Sequence, residues 1–92
     1  MFVVVAYDIA DNRRRTRVMK MLKGFGEHVQ ESVFECDLNG QQHRRMLKLL
    51  RKLIDVDADN VRIYYLCSLD VERIGRLGVA RPVQLAREFI IV

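Results

Sequence analysis

Asp8 closes an apolar run, Phe2-Val3-Val4-Val5-Ala6-Tyr7, and stands five residues ahead of three consecutive arginines, Arg13, Arg14 and Arg15. A carboxylate beside a block of guanidinium groups is suited to chemistry on a phosphate. The carboxylate can hold a divalent cation, and arginines can grip phosphoryl oxygens in a fork. The basic residues are also segregated. Of sixteen in the chain, eleven lie in two stretches free of acidic residues: Arg13, Arg14, Arg15, Arg17, Lys20 and Lys23, then Arg44, Arg45, Lys48, Arg51 and Lys52. A solvated helix ordinarily mixes signs, because opposite charges three or four apart stabilise it and like charges oppose it. Two single-sign faces therefore point to a polyanionic partner. The competing readings are a solubilising cluster for the arginines and a simple turn cap for Asp8.

Arginines at a helix start oppose the helix dipole by roughly 0.3–1 kcal/mol per charge, so something outside the helix is expected to offset them. Phosphate is the simplest candidate. The second basic face, with Arg44, Lys48 and Arg51 on it, suits a duplex backbone and predicts binding that weakens steeply with salt. His28 is a candidate proton donor at an exposed loop edge, or an inert histidine. Ser32 can bond a water or a phosphate, or only its own backbone. Tyr7, Phe34, Tyr64 and Tyr65 read as core and sheet-packing residues rather than base-stacking platforms. No RNA-recognition-motif signature is present, and His43 reads as a helix-flank residue. Cys36 and Cys67 lack Cys or His neighbours at zinc-ligand spacing and fall in strand-like runs, so both are expected as buried, reduced thiols.

These residues need elements to hold them. The run at 2–7 predicts a central strand buried on both faces. Asp11 and Asn12 can cap a following helix whose stripe is Val18, Met21, Leu22 and Phe25, with Gly24 and Gly26 at its end. The 28–38 run changes phase, with Val29 and Val33 on one face and Phe34, Cys36 and Leu38 on the other, which predicts a bulge or a folded hairpin. Asn39-Gly40 introduces a second helix with Met46, Leu49, Leu50, Leu53 and Ile54 on its stripe. A strand over 61–69 follows, then a loop with one turn of helix over 70–87, then a terminal strand at Phe89–Val92.

The whole is one domain over residues 1–92, α+β and ferredoxin-like in the order βαββαβ with a short extra C-terminal strand. The helix-free face of such a sheet needs cover, so a homodimer is expected, with residues 77–92 contributing to it. No run approaches the roughly twenty apolar residues that span a bilayer, and no charged leader precedes Phe2, so a cytoplasmic protein without a membrane partner is expected.

Tyr7-Asp8-Ile9 with Asp11 and the arginines, then Gly26-x-x-Val29-Gln30-x-Ser32-Val33-Phe34-Glu35, resembles CRISPR-associated protein 2. The strand Asp59-Asn60-Val61-Arg62-Ile63-Tyr64 and the Ile74-Gly75 pair fit the same pattern, over roughly residues 2 to 76. The resemblance implies a symmetric dimer in which Asp8 of both subunits binds a divalent ion, Mg²⁺ or alternatively Mn²⁺. It implies a metal-dependent endonuclease on single-stranded RNA or double-stranded DNA, and a partnership with the CRISPR-associated integrase in spacer acquisition. Tyr7, Asp8, Arg15, Arg17 and Phe34 match positions linked to nuclease activity in the family. His28 departs from it, standing where arginine is frequent. Two alternatives remain: a non-catalytic DNA-binding adaptor that bridges integrase dimers, and a small regulatory domain that binds metabolites.

Overall fold

The computed structural model describes residues 1–86. Its elements run β1 (Phe2–Asp8), α1 (Asn12–Leu22), β2 (Glu27–Gln30), β3 (Val33–Asp37), α2 (Gly40–Leu53), β4 (Asn60–Leu66) and α3 (Ser68–Glu72). The four strands form one antiparallel sheet in the order β2-β3-β1-β4, which is the ferredoxin-like order. The expected strand at Phe89–Val92 lies outside the described residues.

β1 is apolar up to Asp8, as suits a strand paired on both edges, with β3 and with β4. Val3 and Val5 are fully buried, and they sit opposite Cys36 and Phe34 of β3 and opposite Tyr65 and Ile63 of β4. These residues share the face on which α1 and α2 pack. Val18 and Leu22 from α1, and Met46 and Leu50 from α2, complete the core with Tyr7, Ile9 and Leu38. Burying each such aliphatic side chain contributes about 1.5–3 kcal/mol. Phe2, Val4, Ala6 and Asp8 alternate onto the other, helix-free face.

Both helix starts follow their capping residues. Asp11 accepts the Arg14 N–H, and Asn39 forms a reciprocal capping box with Gln42. The phase change in the 28–38 run is a tight hairpin: β2 and β3 pair across a turn at Glu31–Ser32, with a register shift between His28 and Gln30. Gly26 enters β2 beneath β3. A Cβ there would lie 2.3 Å from the Glu35 carbonyl oxygen and 2.6 Å from the Cys36 sulfur, so only glycine fits this approach.

Two expectations about the C-terminal half fail. The strand over 61–69 ends at Leu66, because Asp70 caps the chain at Cys67 and starts α3 there. Cys67 is therefore exposed, whereas Cys36 is buried as expected. The Cys67 thiol donates to the Asp70 carboxylate at 3.1 Å, and burial pushes the Cys36 thiol up to about 11. The segment after α3 runs over the β2–β3 half of the helix-free face. Arg81 reaches Glu27 at 3.5 Å, and the Ala86 N–H donates to Asp37 at 2.7 Å. Among the described residues no helix is long and apolar enough to cross a membrane.

Two outcomes check this architecture. Gly26→Ala must push β3 away from β2 and is expected to cost about 1–3 kcal/mol in a denaturant titration; an unchanged midpoint would contradict the close approach. Near pH 8 a thiol reagent is expected to modify one cysteine per native chain, and none in Cys67→Ser until denaturant is added.

Candidate nucleic-acid interface and catalytic cleft

Asp8 sits exposed where β1 ends, opposite Asn60 at the start of β4. It borders a cleft of about 510 Å³ whose lining includes Tyr7, Arg15, His28, Glu31 and Ser32. The β2–β3 turn is pinned against this end of β1. The Tyr7 N–H donates to the Ser32 carbonyl at 3.0 Å, and the Tyr7 hydroxyl donates to the Glu31 carbonyl at 3.3 Å. His28 Nε2 meets the same Glu31 oxygen at 2.9 Å. A carbonyl only accepts, so Nε2 is the donor in this bond.

His28 is not at a loose loop edge. It lies half-buried in β2 with its ring stacked on Phe34, centroids 4.5 Å apart and planes 1° from parallel. Tyr7 stacks on the other flank of Phe34 at 6.4 Å. Phe34 itself is fully buried, so it cannot touch a substrate and acts as the floor that holds both rings. Burial raises the Tyr7 hydroxyl above its ordinary value, with Arg15 pulling the other way. The part of Ser32 that the fold uses is its carbonyl.

The three arginines behave differently from one another. Arg14 forms a fork on Asp59, Nε to Oδ2 at 2.9 Å and Nη2 to Oδ1 at 3.1 Å. Arg15 donates to the carbonyls of Ile9, at 3.0 Å, and Ala10, at 3.3 Å, and to the Asn12 side chain. The unfavourable charge at the helix start is thus offset from inside the fold at two of three positions, and phosphate is not needed to explain them. Arg13, Arg17 and Lys20 stay exposed, and among the described residues they make no ion pair. Arg44, Lys48 and Arg51 are likewise exposed and unpaired along α2, opposite its buried stripe.

The aromatic expectation fails at β4: Tyr64 and Tyr65 are 49% and 56% exposed. β4 is an edge strand, so neither neighbour nor helix fully covers them. His43, read as a mere flank residue, bonds the Tyr65 hydroxyl at 2.7 Å and ties α2 to β4. No sequence pattern announces that bond or the Arg14–Asp59 fork, because 22 and 45 positions separate the partners.

Among the described residues no three His, Cys, Asp or Glu side chains gather as a metal-ligand set. Of the two carboxylate residues that line the cleft, Asp8 and Glu31, neither makes an ion pair among the described residues, and Asp8 is the one that ends β1. That carboxylate is an oxygen donor of the kind Mg²⁺ takes, and Mg²⁺ keeps several waters, so two copies of Asp8 fit such an ion.

The family model described as CRISPR associated protein Cas2 matches residues 1–74. A relative from Chloroflexus aurantiacus, named CRISPR-associated endoribonuclease Cas2 1, is 39% identical over the whole of both chains. The crystal structure of Streptococcus pyogenes Cas2 at pH 6.5 superposes with a TM-score of 0.77 at 31% identity, covering 85% of this chain and all of that one. A chain of a partial Cas6-RT-Cas1–Cas2 complex superposes with a TM-score of 0.73, covering 91% of this chain and 98% of that one; at 22% identity the likeness is one of fold.

Arg14 holds the Asp59 carboxyl below the ordinary value of 3.8, and hydrogen bonds from the Arg14 backbone do the same for Asp11. A carboxylate held low in the fold adds stability above its unfolded pKa, and that stability is lost as pH falls through the lowered value. Stability is therefore expected to be level near neutrality and to fall below about pH 4. Denaturation midpoints of Asp59→Asn against pH are expected to be lower at neutrality and flatter on the acid side; a curve parallel to the unsubstituted protein would refute the coupling.

Proposed function

The chain belongs to the Cas2 family of CRISPR-associated proteins, and from that premise we propose that it is a metal-dependent endonuclease acting as a homodimer during acquisition of new spacers. The observation that carries the reading is Asp8: an exposed carboxylate, making no ion pair among the described residues, at the mouth of a cleft that also holds Arg15 and His28. Asp8 alternates onto the helix-free face with Val4 and Ala6, so a second copy covering that face brings the two carboxylates toward one axis. Leu77 and Val79, 92% and 100% exposed, give that second copy further apolar surface to cover.

A bound Mg²⁺ or Mn²⁺ would supply charge neutralisation at the phosphate and an activated water. The two Asp8 carboxylates would hold it. Arg15, tethered by Ile9 and Ala10, keeps a fixed positive charge at the cleft wall, where it stabilises charge developing on the scissile phosphate. Tyr7 and Phe34 hold the wall rigid beneath. His28, bonded through Nε2 to the Glu31 carbonyl and stacked on Phe34, is held in a fixed orientation at the cleft wall.

The outer faces of α1 and α2 favour a second, compatible reading, that of a DNA-binding adaptor between dimers of the CRISPR-associated integrase. Arg13, Arg17, Lys20, Arg44, Lys48 and Arg51 would track phosphates of RNA or duplex DNA while the partner does the chemistry. A metabolite-binding regulatory domain leaves these two faces without a purpose.

Cleavage of RNA or DNA by the purified protein is expected to stop with EDTA and in Asp8→Asn. Because each site draws on both subunits, activity in mixed Asp8→Asn and unsubstituted dimers should fall as the square of the unsubstituted fraction. A linear fall would remove the shared site. Charge reversal at Arg13, Arg17 and Lys48 is expected to weaken duplex binding and flatten its salt dependence, with Asp8→Asn leaving both intact. Unchanged binding in the reversals would remove the adaptor reading.

A further inference from the structure

We propose that Arg14 and Asp59 are a positioning pair for the Asp8 end of β1, and that Arg14, alone among the basic residues on the outside of α1, does not contact nucleic acid. The first half rests on the nuclease reading above; the second does not.

The connection from Asp8 to Arg14 is short and is closed at both ends. On one side Asp8 is paired with Asn60 in the sheet. On the other, Arg14 is forked onto Asp59, the residue immediately before Asn60. Residues 9–11 are thus a loop whose two ends are both fastened to the start of β4. Arg14 is fixed a second time through its backbone, whose N–H donates to Asp11 at 2.9 Å. Asp59 is fixed as well: its side chain is wholly buried, and Oδ2 also accepts the Asp55 N–H at 2.8 Å. The closed loop presents the Ile9 and Ala10 carbonyls that in turn hold Arg15 in the cleft. Loss of the fork would let the start of α1 swing, moving Arg15 and the Asp8 backbone together.

The same geometry takes Arg14 out of the phosphate-binding set. A guanidinium that already grips a carboxylate in a fork must release it to grip a phosphate the same way. Release would cost both hydrogen bonds of the fork and leave the Asp59 carboxylate without its cation. Arg13 carries no such obligation among the described residues. Neighbours in sequence, with identical side chains, are therefore expected to respond differently to the same experiment.

The test compares Arg14→Gln, Asp59→Asn, their double variant and Arg13→Gln in two assays. In RNA cleavage with Mn²⁺ titrated, each single variant of the pair is expected to lower kcat about ten- to a hundredfold and raise the Mn²⁺ activation midpoint, with KM for RNA unchanged. The double variant should match the singles, since either change opens the same loop. In duplex binding, the slope of log affinity against log salt should be unaltered in Arg14→Gln and shallower by about 0.9 in Arg13→Gln. Additive kcat losses, or a raised KM, would overturn the positioning role, and a shallower slope in Arg14→Gln would overturn its exclusion from binding. Should the unsubstituted protein cleave nothing, the nuclease reading falls, while the salt arm still decides what Arg14 does. If Arg14→Gln does not fold, Arg14→Lys, which keeps the charge but gives up the fork, carries the kcat comparison, and the double variant, in which both charges of the pair are removed together, carries the salt comparison.

Discussion

The molecule is organised around the double pairing of β1. A strand bonded on both edges has no free backbone groups along its length, and its side chains are apolar wherever sheet or helix covers them. Polarity can return only where coverage ends, and on β1 that is Asp8. The antiparallel sheet brings the starts of β3 and β4 to the same end, so the Glu31–Ser32 turn and Asn60 arrive there from distant parts of the chain. The cleft is thus a product of the ladder. It forms where one buried strand emerges between α1 and the β2–β3 turn.

Electrostatics then sorts the basic residues. Sixteen cations against twelve carboxylates leave a surplus, and the fold decides which cations are spent inside. Arg14 is committed to Asp59 and Arg15 to two backbone carbonyls. The exposed cations that remain on α1 and α2 lie on faces turned away from the core, because the apolar stripes of the two helices leave them no other direction. A chain can therefore look uniformly basic over residues 13–23 while only part of that charge is available to a partner.

The elements were legible wherever a local physical signal existed. Asp11 and Asn39 cap helices because a short acceptor side chain before an apolar stripe does so, and the phase break near Ser32 marks a hairpin because alternation cannot continue through a turn. Asp8 was legible as a polar residue ending an apolar run. What escaped were matters of tertiary context. Cys67 looks like strand interior by composition, yet Asp70 caps the chain there and leaves the thiol exposed. Tyr64 and Tyr65 look like packing residues, but sheet order makes β4 an edge. His28 looks like an exposed residue at a loop edge because nothing local reveals that Phe34 lies beneath it. The destinations of Arg14 and Arg15 were hidden for the same reason: an arginine's partner depends on what the fold carries past it.

The Glu31 carbonyl, which takes both the Tyr7 hydroxyl and the His28 ring, has a consequence for how the cleft can bind anything. A carbonyl oxygen owns two lone pairs, and two donors use them up. This oxygen consequently has nothing left to offer a cation, a water or a sugar hydroxyl, although it stands in the wall beside Asp8. What the turn still offers along that wall is its side chains, Glu31 and Ser32, and selectivity there must come from them.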